Sequence, residues 1–390
     1  MNLAEQYQLL VNRFNFLEKQ IRIDDLSTSI IHFSFESSFP GRGYHPDKSD
    51  HVFSFDPELV KSNIPENDRF SYPVVVSGKN WKSGEVILLL HGLNERTWNK
   101  YLIWAKYLAE HTGQPVILFP LAFHMNRSPE KWNDAHAMAA VSSYRKSLFT
   151  ELNDSTYLNA ALSTRIENFP EQFFVSGMQS YLDIVRFVSE IKAGRHPLFR
   201  RATEVNIFSY SIGAFLSELL VMANPEGLFD RTKLCLFCGG ATFDEMNAAS
   251  RYIMDSHAFE KLHSFSERRN FRKLKNCVGT YGMKELKHIW KSMRLMTFLK
   301  EGRTARERIL KNMGQQVYAI GLEKDKVVPA AAILQTLKGQ HFNLPTKVEI
   351  MDFPYNYTHE APFPFNDKRI LPDVDRCFNE VFAKVAGFLA

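Results

Sequence analysis

Five short, nearly continuous apolar runs constrain this chain more than any other feature. They are EVILLL at 85–90, QPVILFP at 114–120, VNIFS at 205–209, KLCLFC at 233–238 and QVYAIG at 316–321. Each is strand-sized, and a strand with no polar face belongs where both faces of a sheet are covered. Helical spacing fills much of the sequence between and after them. In 100–112, Tyr101, Leu102, Trp104, Ala105 and Leu108 share a face, and Gly113 closes the pattern. Further helices are read at 177–193, from the turn after 209 to about 223, at 330–337 and at 376–389. Strand–helix alternation of this kind predicts a mostly parallel sheet with helices on both faces. Strands at 29–36 and 72–77 precede the runs and one at 347–352 follows them, which makes eight. The polar link 79–84 reads 72–77 and 85–90 as a hairpin. Residues 39–67, rich in Pro, Gly, Asp and Ser, read as loop.

The stretch 204–220, EVNIFSYSIGAFLSELL, has more specific content. A short apolar strand turns through Ser209, Tyr210, Ser211, Ile212 and Gly213 and continues as an apolar helix. A serine at the apex of a strand–turn–helix is the context of a nucleophile elbow. A hydroxyl attacks well when it is exposed at a sharp turn, near a base, and beside a backbone N–H that can hold an oxyanion. Strand and helix nearly collide there, so the positions two before and two after the serine must be small. Gly213 meets that demand. Ser209 replaces the usual first glycine and makes the motif S-x-S-x-G. The plainer alternative is a buried strand followed by an ordinary helix with Ser211 as its N-cap.

Apolar residues make up 45% of the 390, enough for a sizeable core, and the 32 Phe point to an aromatic interior or a greasy pocket. The four cysteines do not suggest a disulfide framework. Cys235 and Cys238 stand in an apolar strand and read as core thiols. No H-E-x-x-H motif, ligand-spaced Cys/His cluster or G-x-x-x-x-G-K-[ST] loop occurs, so no metal, cofactor or nucleotide site is expected. The N-terminal residues lack a signal core and no run is long enough to span a bilayer, which makes a cytoplasmic location the expectation. Net charge is +5, yet residues 261–311 alone hold 15 Lys and Arg against 4 Asp and Glu. Such asymmetry marks either a solvated helical face or a surface that attracts anions. Nucleic acid is not an expected partner, because no recognised binding motif accompanies it.

Ligands of an open α/β sheet bind beyond the C-terminal ends of its strands. In this chain those ends carry, in order, His91-Gly92, the FHMNR segment with His124 and Arg127, Ser211, Asp325 and His359. A serine, then an acid after the next-to-last strand, then a histidine after the last strand is the order of the α/β-hydrolase superfamily. From about residue 29 onward the chain resembles that superfamily. The resemblance implies Ser211 as nucleophile, His359 in NYTHEAPF as general base and Asp325 in GLEKDKVVP as the acid that orients it. It implies an oxyanion hole from the N–H groups of Ile212 and Leu93, with His91 as a structural ring in the oxyanion loop. Asp244, after the sixth strand, is the alternative acid, and Glu323 stands near Asp325.

The expected organisation is an N-terminal helical extension over 1–28, begun by a helix at 3–20, and an α/β-hydrolase-like domain over 29–390. Two inserts, at about 121–170 and 242–313, interrupt the strand–helix rhythm, and the second falls where the superfamily carries a cap. His124 and Arg127 open the first insert. Arg127 either holds a substrate carboxylate or phosphate or ties down its own loop. FHMNR and the N-terminal extension together resemble an uncharacterised bacterial family of this fold. The expected activity is a serine hydrolase acting on an ester, thioester or amide of a small or medium acyl substrate, possibly anionic. A lyase or acyltransferase on the same scaffold, and a binding protein without catalysis, are the alternatives.

Overall fold

The computed structural model describes residues 1–39, 56–61, 63–78, 81, 84–266, 274 and 286–390. Much of the expected 39–67 loop, and six of the fifteen basic residues counted in 261–311, lie outside these residues.

The nine strands are β1 (Gln20–Ile23), β2 (Thr28–Glu36), β3 (Arg69–Ser77), β4 (Glu85–Leu90), β5 (Val116–Leu118), β6 (Glu204–Tyr210), β7 (Leu234–Phe237), β8 (Val317–Leu322) and β9 (Lys347–Met351). They form one sheet in the order β1-β2-β3-β5-β4-β6-β7-β8-β9. The β1–β2, β2–β3 and β3–β5 pairings are antiparallel. Every later neighbour is parallel. All eight expected strands are present, and from β2 onward the chain has the α/β-hydrolase fold.

Strand β4 shows why. Val86, Leu88 and Leu90 belong to one core cluster and Ile87 and Leu89 to the other. Alternate side chains thus enter two separate cores, one on each face. Helices Glu171–Lys192 and Ile212–Ala223 cover the first face; Asn99–Thr112 and Leu371–Leu389 cover the second. Many phenylalanines are spent here. Trp104, for example, packs against Phe208, Phe237, Phe363 and Phe382.

Two expectations about the N-terminal half need correction. β3 and β4 are not a hairpin: β3 pairs with β2 and β5, and β5 separates it from β4. A strand as apolar as β4 is most stable between two parallel neighbours, which β5 and β6 provide. The expected helix at 3–20 covers only Leu3–Arg13, and the one other helical piece of the extension is a single 3-10 turn at Asp24–Leu26. Asn15 Oδ1 accepts the N–H groups of Leu17 and Glu18, offering the backbone a turn in place of a further helical one. Residues QIRI then alternate exposed and buried as β1 on the edge of the sheet. No helix among the described residues is long and apolar enough to cross a membrane.

Candidate active site

β6 ends at Tyr210, Ser211 turns with φ 58° and ψ −122°, and the helix Ile212–Ala223 begins at the next residue. A positive φ is costly for a residue with a Cβ, on the order of 1–3 kcal/mol, and persists only where the surroundings impose it. Those surroundings are visible. The Ser211 carbonyl accepts the N–H groups of Ala214 and Phe215, starting the helix without delay. A Cβ on Gly213 would stand 2.6 Å from the His91 carbonyl oxygen and 2.7 Å from that of Leu90, so only glycine lets the helix come this close to β4. Ser209 is tolerated because its hydroxyl finds a partner, Ser217 Oγ at 2.8 Å.

Ser211 Oγ lies 2.7 Å from His359 Nε2, and His359 Nδ1 lies 2.7 Å from Asp325 Oδ2. The other oxygen, Asp325 Oδ1, accepts the N–H groups of Val327 and Val328 at 2.8 and 2.9 Å. A carboxylate held this way only accepts, so Nδ1 carries the imidazole proton and Nε2 is left to accept from the serine. All three side chains are buried, at 4%, 5% and 4% exposure for Ser211, Asp325 and His359. The Tyr210 ring stacks on the His359 ring at 5.2 Å, and its hydroxyl donates to the His359 carbonyl. Cys238, at the end of β7 with φ 49°, stands beside Asp325. Burial first, and the negative charge of Asp325 next, push its thiol well up, so it meets the carboxylate as a neutral donor. Cys238, Asp325 and His359 are the one compact group of potential metal ligands among the described residues. Both ring nitrogens of His359 already have partners, which makes the group a hydrogen-bonded relay. Neither Tyr210 nor Cys238 was foreseeable from spacing. Tyr210 is the free position of the S-x-S motif, and only the positive φ of Cys238 turns it toward the site.

The loop after β4 is built around His91. Its Nδ1–H donates to the Gly92 carbonyl at 2.8 Å, and its Nε2 accepts the Leu121 N–H at 2.9 Å. Complete burial, with His124 close by, holds this ring far below the ordinary histidine range and therefore neutral. The Gly92 N–H is taken by the Tyr101 hydroxyl at 3.0 Å. Ile212 is the first residue of its helix, so its N–H has no partner one turn back. Leu93, Ser211 and Ile212 line the same cavity, which spans about 430 Å³ counted to its open mouth. Asn94, one residue on, sits at φ 60°. Its side-chain amide donates to the Leu158 carbonyl at 2.8 Å and to the Tyr252 carbonyl at 2.7 Å, touching both inserts at once.

Leu93, Ile212 and Phe173 also border a second, larger space of about 1100 Å³, counted to its open mouth. Its walls are mostly apolar and include Trp132 and Ile166 from 121–170 and Ile289 and Met293 from 242–313. His124 lines it. The Nδ1–H of that ring donates to the Ala122 carbonyl, and burial lowers its pKa to about 4. Arg127 does not reach it. The guanidinium is fully buried, bonds the Asn67 and Pro120 carbonyls, and pairs with Asp183 at 2.9 Å. Arg127 therefore ties down its own loop and is not placed to hold a substrate. Asp244 is likewise occupied elsewhere, accepting the Leu299 N–H and the Thr242 hydroxyl. Glu323 is exposed.

The chain is similar in structure to several esterases at low sequence identity. Carboxyl esterase 2 of the mycorrhizal fungus Tuber melanosporum is 11% identical, covers 89% of this chain over 91% of its own, and gives a TM-score of 0.44. Esterase Est22 is 12% identical, with 99% and 86% covered and a TM-score of 0.47. A mutant of esterase rPPE is 9% identical, with 100% and 91% covered and a TM-score of 0.49. No curated protein matches the chain in sequence. Residues 1–390 match the family of unknown function DUF6051, and the chain belongs to that family.

Proposed function

We propose that this chain is a serine hydrolase that cleaves an ester, thioester or amide of a small or medium acyl substrate through an acyl-enzyme on Ser211. The observation that carries the reading is the unbroken run of hydrogen bonds from Ser211 Oγ through His359 to Asp325 at a strained strand–helix turn. In this mechanism His359 Nε2 takes the Ser211 proton as Oγ attacks the acyl carbon. The carbonyl oxygen gains the negative charge and is held by the N–H groups of Leu93 and Ile212. His359 then gives its proton to the departing alcohol, thiol or amine. Water enters, is deprotonated by the same nitrogen, and releases the acid. Asp325 keeps the ring in the productive tautomer and offsets the imidazolium charge.

On this reading the segments 121–170 and 242–313 select the substrate, because both contribute walls to the larger cavity beside Ser211. A fluorophosphonate probe tests the proposal. Wild-type protein should be labelled covalently and Ser211→Ala should not, with the modified peptide containing Ser211. Labelling that survives the substitution moves the nucleophile elsewhere. Turnover of an acyl substrate with no acyl-enzyme detectable by quenched-flow mass spectrometry replaces the hydrolase with a lyase reading. Release of product only when an alcohol or amine acceptor is supplied makes the protein an acyltransferase.

A further inference from the structure

The larger cavity has an apolar body and a cationic side that its own carboxylates do not neutralise. Away from this cavity the buried Arg306 is held by backbone carbonyls, whereas Arg127 and Arg145 are paired with acids, Asp183 and Asp255. Arg96 and Arg165, which both line this cavity, are not. Arg96 makes three contacts of 3.3 Å, to Asn133 Oδ1, Asn94 Oδ1 and the Leu158 carbonyl. These are at the long end for an N–H···O bond. Its Nε–H is buried and has no partner. Arg165 bonds the Leu59 and Lys61 carbonyls and Gln172 Oε1, and lies between the rings of Phe123 and Trp132 at 4.9 and 4.6 Å. Glu95, the acid in the cavity wall, is held by Lys100 and by the Tyr101 hydroxyl. His124 sits near Arg96 and is neutral, so it supplies no countercharge.

Two guanidiniums taken largely out of water without a carboxylate carry a desolvation cost that an anion arriving with the ligand would offset. Burial alone pulls Arg96 down to about 10 and Arg165 to about 9, which still leaves both charged at neutral pH. Position adds to this. Arg96 lies three residues beyond Leu93 on the same loop, and the two arginines brace one turn: Arg96 bonds Asn133 while Arg165 covers Trp132. The terminal nitrogens of Arg96, held only by contacts of 3.3 Å, suit a planar, two-oxygen acceptor.

We propose that the substrate is a carboxylate-bearing acyl compound whose apolar body fills the larger cavity and whose free carboxylate meets Arg96, with Arg165 adding long-range attraction. The proposal rests on the serine-hydrolase reading for the reacting end of the molecule, but its recognition step can be measured without turnover. The probes are phenylhexanoate and the matching alcohol, phenylhexanol, titrated calorimetrically into the Ser211→Ala protein. The carboxylate should bind about tenfold or more tightly than the alcohol, the scale of one charge-assisted hydrogen bond. Adding Arg96→Gln should bring the ratio to within about twofold, and Arg96→Lys should restore part of it. Equal binding of the two probes to the Ser211→Ala protein, which needs no change at Arg96, overturns the proposal. So does a preference that persists in Arg96→Gln. Fluorophosphonate labelling of wild type separates the two claims. Labelling without a carboxylate preference keeps the hydrolase and removes the anion site. A preference without labelling keeps the site and removes the serine chemistry.

Discussion

His91 Nε2 accepts the N–H of Leu121 at 2.9 Å, so one neutral imidazole joins the loop after β4 to the loop after β5. The first of these loops carries Leu93, the proposed oxyanion donor. His91→Ala should leave the Leu121 N–H buried without a partner, at a cost of roughly 1–3 kcal/mol. It should also lower kcat about tenfold or more with little change in KM, because a donor displaced by a fraction of an ångström acts mainly on the transition state. Thermal melts and steady-state kinetics on an acyl ester check both. An unchanged kcat in a destabilised protein would confine His91 to folding.

The φ of 58° at Ser211 inverts an ordinary ranking. Glycine in a helix or strand is normally less stable than alanine, but here the conformation favours glycine. Ser211→Gly and Ser211→Ala both lose the hydroxyl and its bond to His359. The glycine variant should nevertheless be the more stable of the two, by roughly 1 kcal/mol. Denaturant titrations of the pair decide it. An alanine variant equal to or more stable than the glycine variant contradicts stored strain at the turn.

Asp325→Ala and His359→Ala should each lower kcat by roughly 10³-fold or more, and the double variant should be little worse than either. Groups that hold and move one proton fail together. Asp244→Ala is the control: its carboxylate serves the Leu299 N–H, so it should cost stability and leave kcat within a few fold. Multiplying effects in the double variant would argue against a single relay.

Arg127→Ala should behave as a folding defect. Removing one member of the buried pair with Asp183 leaves the other charge uncompensated, which costs about 3–5 kcal/mol. The expected result is a large fall in Tm and poor soluble yield. A well-folded variant with a raised KM alone would return Arg127 to substrate binding.

Acid should destabilise the fold in part through His196. Its Nδ1 accepts the Leu198 N–H and its Nε2–H donates to the Tyr72 hydroxyl, so the ring is bound as the neutral form. Burial lowers its pKa from 6.5 to about 4. The unfolded chain therefore binds the proton more readily. The contribution is complete above about 6.5 and is lost as pH falls toward about 4. Tm measured from about pH 7.5 to about pH 4.5 should fall less steeply in His196→Gln than in wild type. Identical slopes would remove His196 from the acid response.

The sheet and the three residues of the relay could be read from the chain because each has a local signature. Unbroken apolar runs mark strands covered on both faces. Gly213 two positions after Ser211 marks the collision of strand and helix. Asp325 and His359 stand where the last two strands end. What could not be read depends on partners distant in sequence. β5 enters between β3 and β4 because of how the sheet is completed, which no run of residues encodes. Arg127 looks available for an anion until Asp183, on a helix 56 positions later, is seen beside it. Cys238 shares the core of Cys235, three positions earlier, where strict alternation would separate them, because its φ of 49° leaves the strand conformation.

The two carbonyls held by Asn94 connect parts of the molecule that would otherwise vary separately. Leu158 belongs to one insert and Tyr252 to the other, and both are fastened to the residue next to Leu93. Anyone grafting a foreign lid onto this sheet to change what it accepts would have to re-create an acceptor for each of those two N–H bonds. A graft that omitted them would alter the reactive centre together with the selectivity, since the loop they steady is the one that carries the proposed oxyanion donor.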